Sequence, residues 1–285
     1  YRRQLVKSDQ YTRKFLNDPE AKKTMEDEGI GFSMSGLVAQ MKEKNFVHVE
    51  GEVTVKLADS YGFCWGVERA VQMCYEARKQ YPTEKMWITN EIIHNPTVNM
   101  RLSEMGVNFI EVKGGVKNFE PVQSGEVVVL PAFGASIHEM KLLAEKGVSI
   151  VDTTCPWVSK VWNAVDTHAR KEFTSIIHGK YAHEETVATA SFAKTYLVVK
   201  DMKEASWVCD YILNGTATKE EFMEKFKNAH SDGFDPEKDL DAVGVANQTT
   251  MLKGETEAIG KLFERTMMEK HGVQNLGEHY LVTDT

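Results

Sequence analysis

The sequence predicts an α/β fold made of small domains with parallel sheets, and two observations support this class. Short apolar runs with the composition of buried strands alternate along the chain with longer segments of helical periodicity. Parallel strands need a crossover connection, usually a helix, so this alternation is typical of parallel sheets. The chain has 285 residues, 42% of them hydrophobic, which is enough for two ordinary domains or three small ones.

The elements are predicted in a regular order from residue 51 onward. The segment "EVTVKLA" (52–58) alternates as a strand, and residues 65–80 place apolar side chains on one helical face. "KMWITNEIIHNPTV" (85–98) predicts a strand and a loop, and a helix follows near 97–105. "GEVVVLPAFGAS" (125–136) predicts a buried strand that ends in a loop of small residues.

The second half of the chain repeats this order. After a helix that extends to about Glu145, "VSIVDTTCPWVSKVWNAVDTHAR" (148–170) predicts a strand, a loop and a helix. Residues 214–240 are polar and charged and are predicted to be a surface insertion. Three other segments each begin with an apolar run typical of a strand: "FTSIIHGKYAHEET" (173–186), "KTYLVVKD" (194–201) and "DAVGVANQTTMLKGET" (241–256).

These elements predict four segments along the chain. Residues 1–50 are polar and charged, with apolar residues at helical spacing, and are predicted to form a helical N-terminal extension that is partly mobile. Residues 51–66 are predicted to be a strand and a loop. Residues 67–152 are expected to form a first α/β domain, and residues 153–285 a second one that carries the charged insertion.

Composition excludes several classes of function. The net charge of −8 argues against nucleic acid or an anionic membrane as the main partner. There is no run of about 18 apolar residues, so no membrane span is predicted. Four cysteines in 285 residues do not make the disulfide framework of a secreted protein, and a reducing compartment is expected.

Polar residues with useful chemistry follow the predicted strands. In parallel α/β sheets the carboxyl ends of the strands meet at one edge, where ligands bind. Five strand ends that carry such residues therefore predict one convergent site. The residues are His94, the loop 132–136, Cys155, His178 to Glu185, and Gln248 to Thr250.

Cys64 and Cys155 occupy matching positions, each between a strand and loop and the start of a helix. A helix N-terminus stabilises a thiolate, which is the form that a metal or an iron–sulfur cluster needs. A lone cysteine is more often a small buried hydrophobic residue, but two in matching positions favour ligands. Cys74 and Cys209 lie on apolar helical faces and are predicted to be core residues.

The last residues of the sequence suggest a third ligand. Two thiolates do not hold an iron–sulfur cluster firmly. The segment "HYLVTDT" (279–285) again predicts a strand that leads into a Thr/Asp loop, much like "SIVDTTC" (149–155). We therefore expect a third cysteine within a few residues after Thr285, so that this chain would be an incomplete one.

At these residues the chain resembles the 4-hydroxy-3-methylbut-2-enyl diphosphate reductase family (LytB or IspH), the last enzymes of the methylerythritol phosphate route to isoprenoids. "LPAFGA" and the charged insertion resemble the plant and cyanobacterial branch, so the plastid stroma, or else the cytoplasm of a cyanobacterium, is the expected location. In many bacterial members of the family, a His that contacts the phosphate stands in place of Phe133. That contact is therefore not carried over to this chain. The matching segments are "GFCWGVERAV", "NEIIHNPTVN", "LPAFGAS", "VDTTCPWVSKVW", "HGKYAHEET" and "ANQTTMLKGET".

The resemblance implies three small α/β domains in a pseudo-threefold array around a [4Fe–4S] cluster, with one cysteine from each domain. Cys64 and Cys155 match the first two ligands. The third cysteine and most of the third domain, with which residues 51–66 would pair, are expected beyond Thr285. The implied reaction is a two-electron reductive dehydroxylation that yields isopentenyl and dimethylallyl diphosphate, with a ferredoxin-type electron donor.

The resemblance also implies roles for single residues. His94 and His183 match residues that contact the diphosphate of the substrate. Glu185 matches the proton source, and Thr249 matches a threonine that hydrogen-bonds the substrate hydroxyl and relays protons. The role of His178 is left open. Three polar neighbours are expected to support these residues: Asn95, Gln248 and Thr250.

Two alternatives remain at this point. A cluster enzyme of the quinolinate synthase kind also uses three cysteines and a threefold α/β fold, but the "HEE" and "QTT" segments do not fit its carboxylate substrate. A non-catalytic fragment that keeps the fold and binds no cluster is the alternative from another class. Neither a zinc deaminase nor a dinucleotide site is predicted, since the P-C-x-x-C and G-x-G-x-x-G motifs are missing.

Overall fold

The computed structural model of the protein describes residues 2–28 and 36–282. Contacts between residues divide the chain into two units. The first contains the residues up to Ala132 together with Lys141–Cys155, and the second contains Phe133–Met140 and the residues from Pro156 onward. Within the described ranges, none of the helices combines the length and the apolar character that crossing a bilayer requires.

A parallel five-stranded sheet forms the centre of the first unit, in the order β1-β9-β8-β4-β5. The strands β2 and β3, and likewise β6 and β7, form separate antiparallel pairs. The strands are β1 (Tyr11–Thr12), β2 (Val47–Glu50), β3 (Val53–Lys56), β4 (Met86–Ile88), β5 (Val107–Phe109), β6 (Val112–Lys113), β7 (Val116–Lys117), β8 (Val127–Leu130) and β9 (Ser149–Asp152). The helices are α1 (Arg2–Leu5), α2 (Pro19–Asp27), α3 (Gly36–Glu43), α4 (Trp65–Gln80) and α5 (Pro96–Glu104). The helix α6 (Ile137–Glu145) belongs to the second unit up to Met140 and to the first unit from Lys141.

The core of the first unit lies between this sheet and α4. All four residues of β8 are buried, as expected for a central strand covered on both faces. The apolar face of α4 contributes Ala70, Val71 and Cys74, each fully buried. Burial also raises the pKa of the Cys74 thiol to about 12, so this cysteine is a core residue, as the sequence predicted.

A second parallel sheet, of four strands in the order β11-β10-β12-β13, forms the centre of the second unit. Cys209 is buried in the core of this unit, which confirms the prediction that it packs rather than binds. The strands are β10 (Thr174–His178), β11 (Tyr196–Val199), β12 (Val243–Asn247) and β13 (Tyr280–Leu281). The helices are α7 (Pro156–Arg170), α8 (Glu184–Ala190), α9 (Met202–Asn214), α10 (Lys219–Lys225), α11 (Pro236–Asp239), α12 (Lys253–His271) and α13 (Leu276–His279).

Both main sheets are parallel, which confirms the predicted fold class. Residues 1–50 contain the helices α1, α2 and α3, as expected for a helical extension, but β1 also joins the edge of the first sheet beside β9. This short strand is fixed by the buried ring of Tyr11. The prediction had no signal for it, since two residues carry no periodicity. The strand predicted within residues 51–66 is β3, and it pairs with β2.

The charged insertion 214–240 also differs from expectation, because it contains a buried aromatic group. Phe222 and Phe226 lie one helical turn apart on or beside α10, and Phe234 and Leu240 follow them into the core. Their charged neighbours face solvent, so the average polarity of the segment concealed the apolar face.

Candidate functional site

The sulfur of Cys64 lies at the start of a helix. Cys64 is the N-cap residue of α4 and has an extended backbone, and its side chain makes no capping hydrogen bond. The residue is exposed. Its sulfur is therefore not used in the helix cap and is accessible to a ligand.

Cys155 lies close to the same helix start. An ideal Cβ built on Gly66, the second residue of α4, would be 2.5 Å from Cys155 Sγ and 4.0 Å from Cys64 Sγ. The backbone N–H of Cys155 donates to the carbonyl oxygen of Ala132 at 2.8 Å, which fixes the loop after β9. The two sulfurs therefore converge on one place, and the missing side chain of Gly66 makes room for them.

His94 belongs to the first unit and lies in the loop between β4 and α5. Its Nδ1 lies 2.9 Å from Glu91 Oε2, and the side chain is 57% exposed. The next residue, Asn95, is the N-cap of α5 and accepts a hydrogen bond from the N–H of Val98 at 3.1 Å. Asn95 thus sets the chain direction directly after His94.

Glu185 and Thr249 form a buried pair in the second unit. Glu185 is only 3% exposed, in the first turn of α8. The backbone N–H of Thr249 donates to Glu185 Oε1 at 2.5 Å, and Thr249 Oγ1 is 3.0 Å from Glu185 Oε2. Burial raises the pKa of the Glu185 carboxyl above its ordinary value, although the two Thr249 hydrogen bonds oppose this shift. A carboxyl group in this setting is suited to retain and deliver a proton.

His183 begins the same helix. It is the N-cap of α8, and its Nδ1 accepts a hydrogen bond from the backbone N–H of Glu185 at 3.2 Å. An Nδ1 that accepts leaves the ring hydrogen on Nε2, so Nε2 is the donor atom of this imidazole. The ring also meets Phe133 edge to face, with 6.4 Å between the ring centroids.

Gln248 links the two loops that carry this pair. Its Oε1 accepts hydrogen bonds from Thr186 Oγ1 and from the backbone N–H of Lys180, both at 3.1 Å. Its Nε2 donates to Thr250 Oγ1 at 2.6 Å. The loop after β10 and the loop after β12 are therefore held together, with Glu185 at the start of the helix that follows the first loop and Thr249 on the second.

His178 is structural in its surroundings. It is the last residue of β10 and is fully buried, with Nδ1 2.7 Å from Thr256 Oγ1. Burial lowers the pKa of its imidazole, and Glu255, whose Oε2 is 3.8 Å from Nε2, opposes that shift. The neutral ring therefore joins the end of β10 to the start of α12.

A second group of potential metal ligands lies at the far end of α12. Ligand atoms of Asp241, His271 and His279 all lie within 4.8 Å of one another. However, the two imidazole rings stack with 3.5 Å between centroids and 4° between planes. The nitrogen lone pairs lie in the ring planes, so two parallel rings do not point at one ion. The nearby Lys270 ammonium, 3.6 Å from Asp241 Oδ1, also disfavours a cation.

The structure brings the predicted residues together in two sets. Cys64 and Cys155 meet beside Gly66 in the first unit, which also carries His94 and Asn95. The second unit gathers the others at the carboxyl ends of β10 and β12: His183, Glu185, Gln248, Thr249 and Thr250. The sequence analysis missed Gly66, whose only signal was its place two residues after Cys64 at the start of a helix.

Comparisons with known proteins identify the family. The family model described as LytB protein matches residues 55–279. The chain is 61% identical over 286 residues to the 4-hydroxy-3-methylbut-2-enyl diphosphate reductase of Crocosphaera subtropica, covering all of this chain and 70% of that protein. It is 59% identical over 286 residues to the chloroplastic enzyme of the same name from Botryococcus braunii, covering all of this chain and 57% of that protein.

A solved structure supports the fold. The E-1-hydroxy-2-methyl-but-2-enyl-4-diphosphate reductase of Plasmodium falciparum superposes with a TM-score of 0.57 at 21% identity, over 79% of this chain and 57% of that one. This likeness concerns the fold, whereas the family match and the two relatives concern ancestry. Because the match spans most of the chain and runs through the cysteine, His183–Glu185 and Gln248–Thr250 segments, the protein belongs to the LytB family, whose curated relatives are named as 4-hydroxy-3-methylbut-2-enyl diphosphate reductases.

Proposed function

We propose that the chain forms the greater part of a reductase that removes the hydroxyl group of 4-hydroxy-3-methylbut-2-enyl diphosphate and yields isopentenyl and dimethylallyl diphosphate. The observation that carries the proposal is the convergence of the Cys64 and Cys155 sulfurs beside Gly66. The family match favours this reaction over that of a quinolinate synthase. The relatives that match are longer than this chain, so the activity is proposed for the protein with its full coding sequence.

The donor set fits an iron–sulfur cluster. Converging thiolates are soft ligands that select such clusters or zinc, and Gly66 lacks the Cβ that would lie 2.5 Å from Cys155 Sγ. Cys64 and Cys155 would each supply one thiolate to a [4Fe–4S] cluster. When bound by three thiolates, such a cluster supplies electrons and one open Lewis-acidic iron. Cys74 and Cys209 are buried in the cores and are not candidates for the third ligand.

Glu185 would deliver protons to the reaction, which consumes two of them with its two electrons, one for the leaving hydroxyl and one for the allyl carbon. Its buried carboxyl, with the raised pKa described above, keeps a proton more readily than an exposed glutamate. Thr249 Oγ1 lies 3.0 Å from Glu185 Oε2 and is placed to form hydrogen bonds with both this carboxyl and a substrate hydroxyl. The proton would leave from the Glu185 carboxyl, and Thr249 would orient the group that receives it.

His94 and His183 would bind the diphosphate. The Nε2–H of His183 is a donor for a phosphate oxygen, and its direction is set by the bond that Nδ1 accepts. His94 is exposed and has Glu91 beside Nδ1, which favours a hydrogen on that nitrogen. Asn95, Gln248 and Thr250 would act through these residues, because each holds the loop on which a binding residue lies.

The electron donor is proposed to be of the ferredoxin type, as in the family. One of the two relatives is from a cyanobacterium, and the other is a chloroplastic enzyme. We therefore propose either the plastid stroma or the cytoplasm of a cyanobacterium as the site of action.

Anaerobic turnover with a chemical reductant tests the proposal. The protein expressed from its full coding sequence should convert the substrate to both products. Glu185→Gln should keep the visible absorbance of the cluster and lose turnover, because an amide cannot deliver the proton. Glu184→Gln, which changes the neighbouring half-buried carboxylate, is the matched control and should stay active. Turnover by Glu185→Gln equal to that of the control would remove Glu185 as the proton source.

A further inference from the structure

A row of polar side chains on α4 is buried, although the sequence of the helix alone does not indicate that they are. Arg69, Gln72 and Glu76 lie on one face of this helix at the spacing i, i+3 and i+7, and each is 7% exposed or less. Buried charged side chains are costly unless they have partners. Each of them has a partner in the segment Tyr11–Asp18, which we name the N-terminal arm.

Glu76 holds the far end of the N-terminal arm. Its Oε2 accepts a hydrogen bond from the backbone N–H of Leu16 at 3.0 Å, and its Oε1 accepts one from the N–H of Asp18 at 2.8 Å. Gln72 donates to Glu76 Oε1 at 3.0 Å and to the carbonyl oxygen of Asp18 at 3.3 Å. The arm is therefore attached to α4 through main-chain atoms, so its position follows that of the helix.

Arg69 links the arm to the loop that carries Cys155. Its Nη2 donates to the carbonyl oxygen of Arg13 at 3.2 Å, and its Nη1 donates to the carbonyl oxygen of Thr154 at 3.3 Å. Arg13 reaches the same carbonyl of Thr154 through Nη2 at 3.0 Å. Two guanidinium groups thus hold the peptide directly before Cys155.

Asp152 is the centre of the network. It is fully buried at the end of β9, and it accepts hydrogen bonds from the Tyr11 hydroxyl, from the Thr154 hydroxyl and, at 2.9 Å, from the Thr154 N–H. Arg13 Nε lies 3.0 Å from Asp152 Oδ2. Because burial and the neighbouring Asp152 carboxylate both raise the pKa of Tyr11, its hydroxyl stays a donor at any ordinary pH.

Burying a network of charged and polar side chains is an energetically costly way to attach the N-terminal arm. Replacing buried ion pairs by apolar side chains of similar volume often costs nothing or stabilises a protein, whereas directional bonds define one geometry. The side-chain bonds described above end on α4, which starts after Cys64, or on Asp152 and Thr154, which lie just before Cys155, and the main chain of the arm also pairs with β9 at Ile150 and Val151. The side-chain network therefore links the helix that starts after Cys64 to the segment just before Cys155.

We propose that the N-terminal arm is a positioning element that holds the Cys64 helix and the Cys155 loop in the one arrangement in which their sulfurs converge. Tyr11 and Arg13 act through Asp152, and neither is placed at the reacting atoms. The proposal rests on the proposed function only in taking the two cysteines as ligands.

Thiol bridging in the metal-free protein tests the arm without depending on the cluster. Dibromobimane joins two neighbouring thiols, releases two bromide ions and becomes fluorescent. It should link Cys64 to Cys155 in the wild type, since Cys74 and Cys209 are buried and burial raises the pKa of both thiols. Tyr11→Phe should slow the bridging by about tenfold, because a hydrogen bond to a charged group is worth about a factor of ten or more in an equilibrium.

Tyr75→Phe is the matched control. The Tyr75 hydroxyl also donates to a carboxylate, Glu28 Oε2 at 2.6 Å, in the same unit, and Glu28 lies outside both the arm and the Cys155 loop. It should bridge at the wild-type rate. Arg13→Gln provides a second test should Tyr11→Phe fold poorly, since the Arg13 side chain is partly exposed, and it should also slow bridging.

Two results would overturn the proposal. Bridging in folded Tyr11→Phe and Arg13→Gln at the wild-type rate would show that the arm does not place the sulfurs. Equal slowing in Tyr75→Phe would show that any loss of stability suffices. A protein that bridges as expected but takes up no cluster would instead count against the proposed function and leave the role of the arm standing.

Discussion

Replacing Gly66 by alanine should impair cluster binding while the protein stays folded. The new Cβ would lie 2.5 Å from Cys155 Sγ and 3.5 Å from Cys155 Cβ. Non-bonded heavy atoms of this kind rest roughly 3.5–4.0 Å apart, so either the Cys155 loop or the start of α4 must move by about 1 Å. Either movement displaces one of the two sulfurs from the place where they converge.

The energetic cost follows from the same geometry. Overpacking of a well-filled site costs about 1–3 kcal/mol, and the gain in helix propensity from Gly to Ala returns at most about 1 kcal/mol. Gly254 is the matched control: it is also the second residue of a long helix, α12, and nothing lies within 4 Å of its added Cβ. We expect Gly254→Ala to be more stable than Gly66→Ala by about 2 kcal/mol in the free energy of unfolding.

Urea unfolding and visible absorbance after anaerobic reconstitution with iron and sulfide measure the two effects. Gly66→Ala should stay folded and lose most of the cluster absorbance at about 410 nm, while Gly254→Ala keeps it. Full absorbance in Gly66→Ala would refute the reasoning, because the sulfurs would then tolerate the displacement that the geometry requires.

Three further outcomes are expected. Burial lowers the pKa of His168 from 6.5 to about 4, so as the pH falls the unfolded chain protonates this imidazole before the folded protein does. The free energy of unfolding should therefore drop by about 3 kcal/mol between pH 7 and pH 4. In His168→Gln, the free energy of unfolding measured with urea should depend less steeply on pH over this range. Thr249→Val removes a hydrogen bond that lowers the pKa of Glu185, so the basic limb of the plot of rate against pH should move to higher pH, and Thr249→Ser should restore it. A basic limb that does not move would show that Thr249 does not tune the Glu185 carboxyl. His94→Ala should weaken substrate binding by about 1.5–3 kcal/mol, measured by calorimetry against the exposed His138→Ala, and equal affinity in both variants would leave His94 without a binding role.

Much of the fold could be predicted because its pattern is local. The periodicity of residues 65–80 located α4, and the apolar runs located β8 and β10. The matching positions of Cys64 and Cys155 could be recognised because both follow a strand and begin a helix. Residue types alone did not distinguish Glu185 from Glu184, and the resemblance to the family was needed to choose. The structure shows the physical difference, since Glu185 is the buried one.

The N-terminal arm could not be predicted, for physical reasons. Its strand has two residues and therefore no periodicity, and Tyr11 pairs with Asp152 across a long stretch of sequence. On α4, Arg69, Gln72 and Glu76 have the spacing of a solvated polar face, and only their tertiary partners show that they are buried. Contacts between such distant polar residues leave no local signal in one sequence.

Iron content tests the central claim most directly. The protein from its full coding sequence should be reconstituted anaerobically, and its iron and labile sulfide counted beside Cys64→Ser and Cys155→Ser. The account predicts about four irons and four sulfides per wild-type chain and a near-complete loss in both variants. Equal iron and sulfide in the wild type and either variant would contradict the assignment of that cysteine as a ligand, and with it the proposed chemistry of the site.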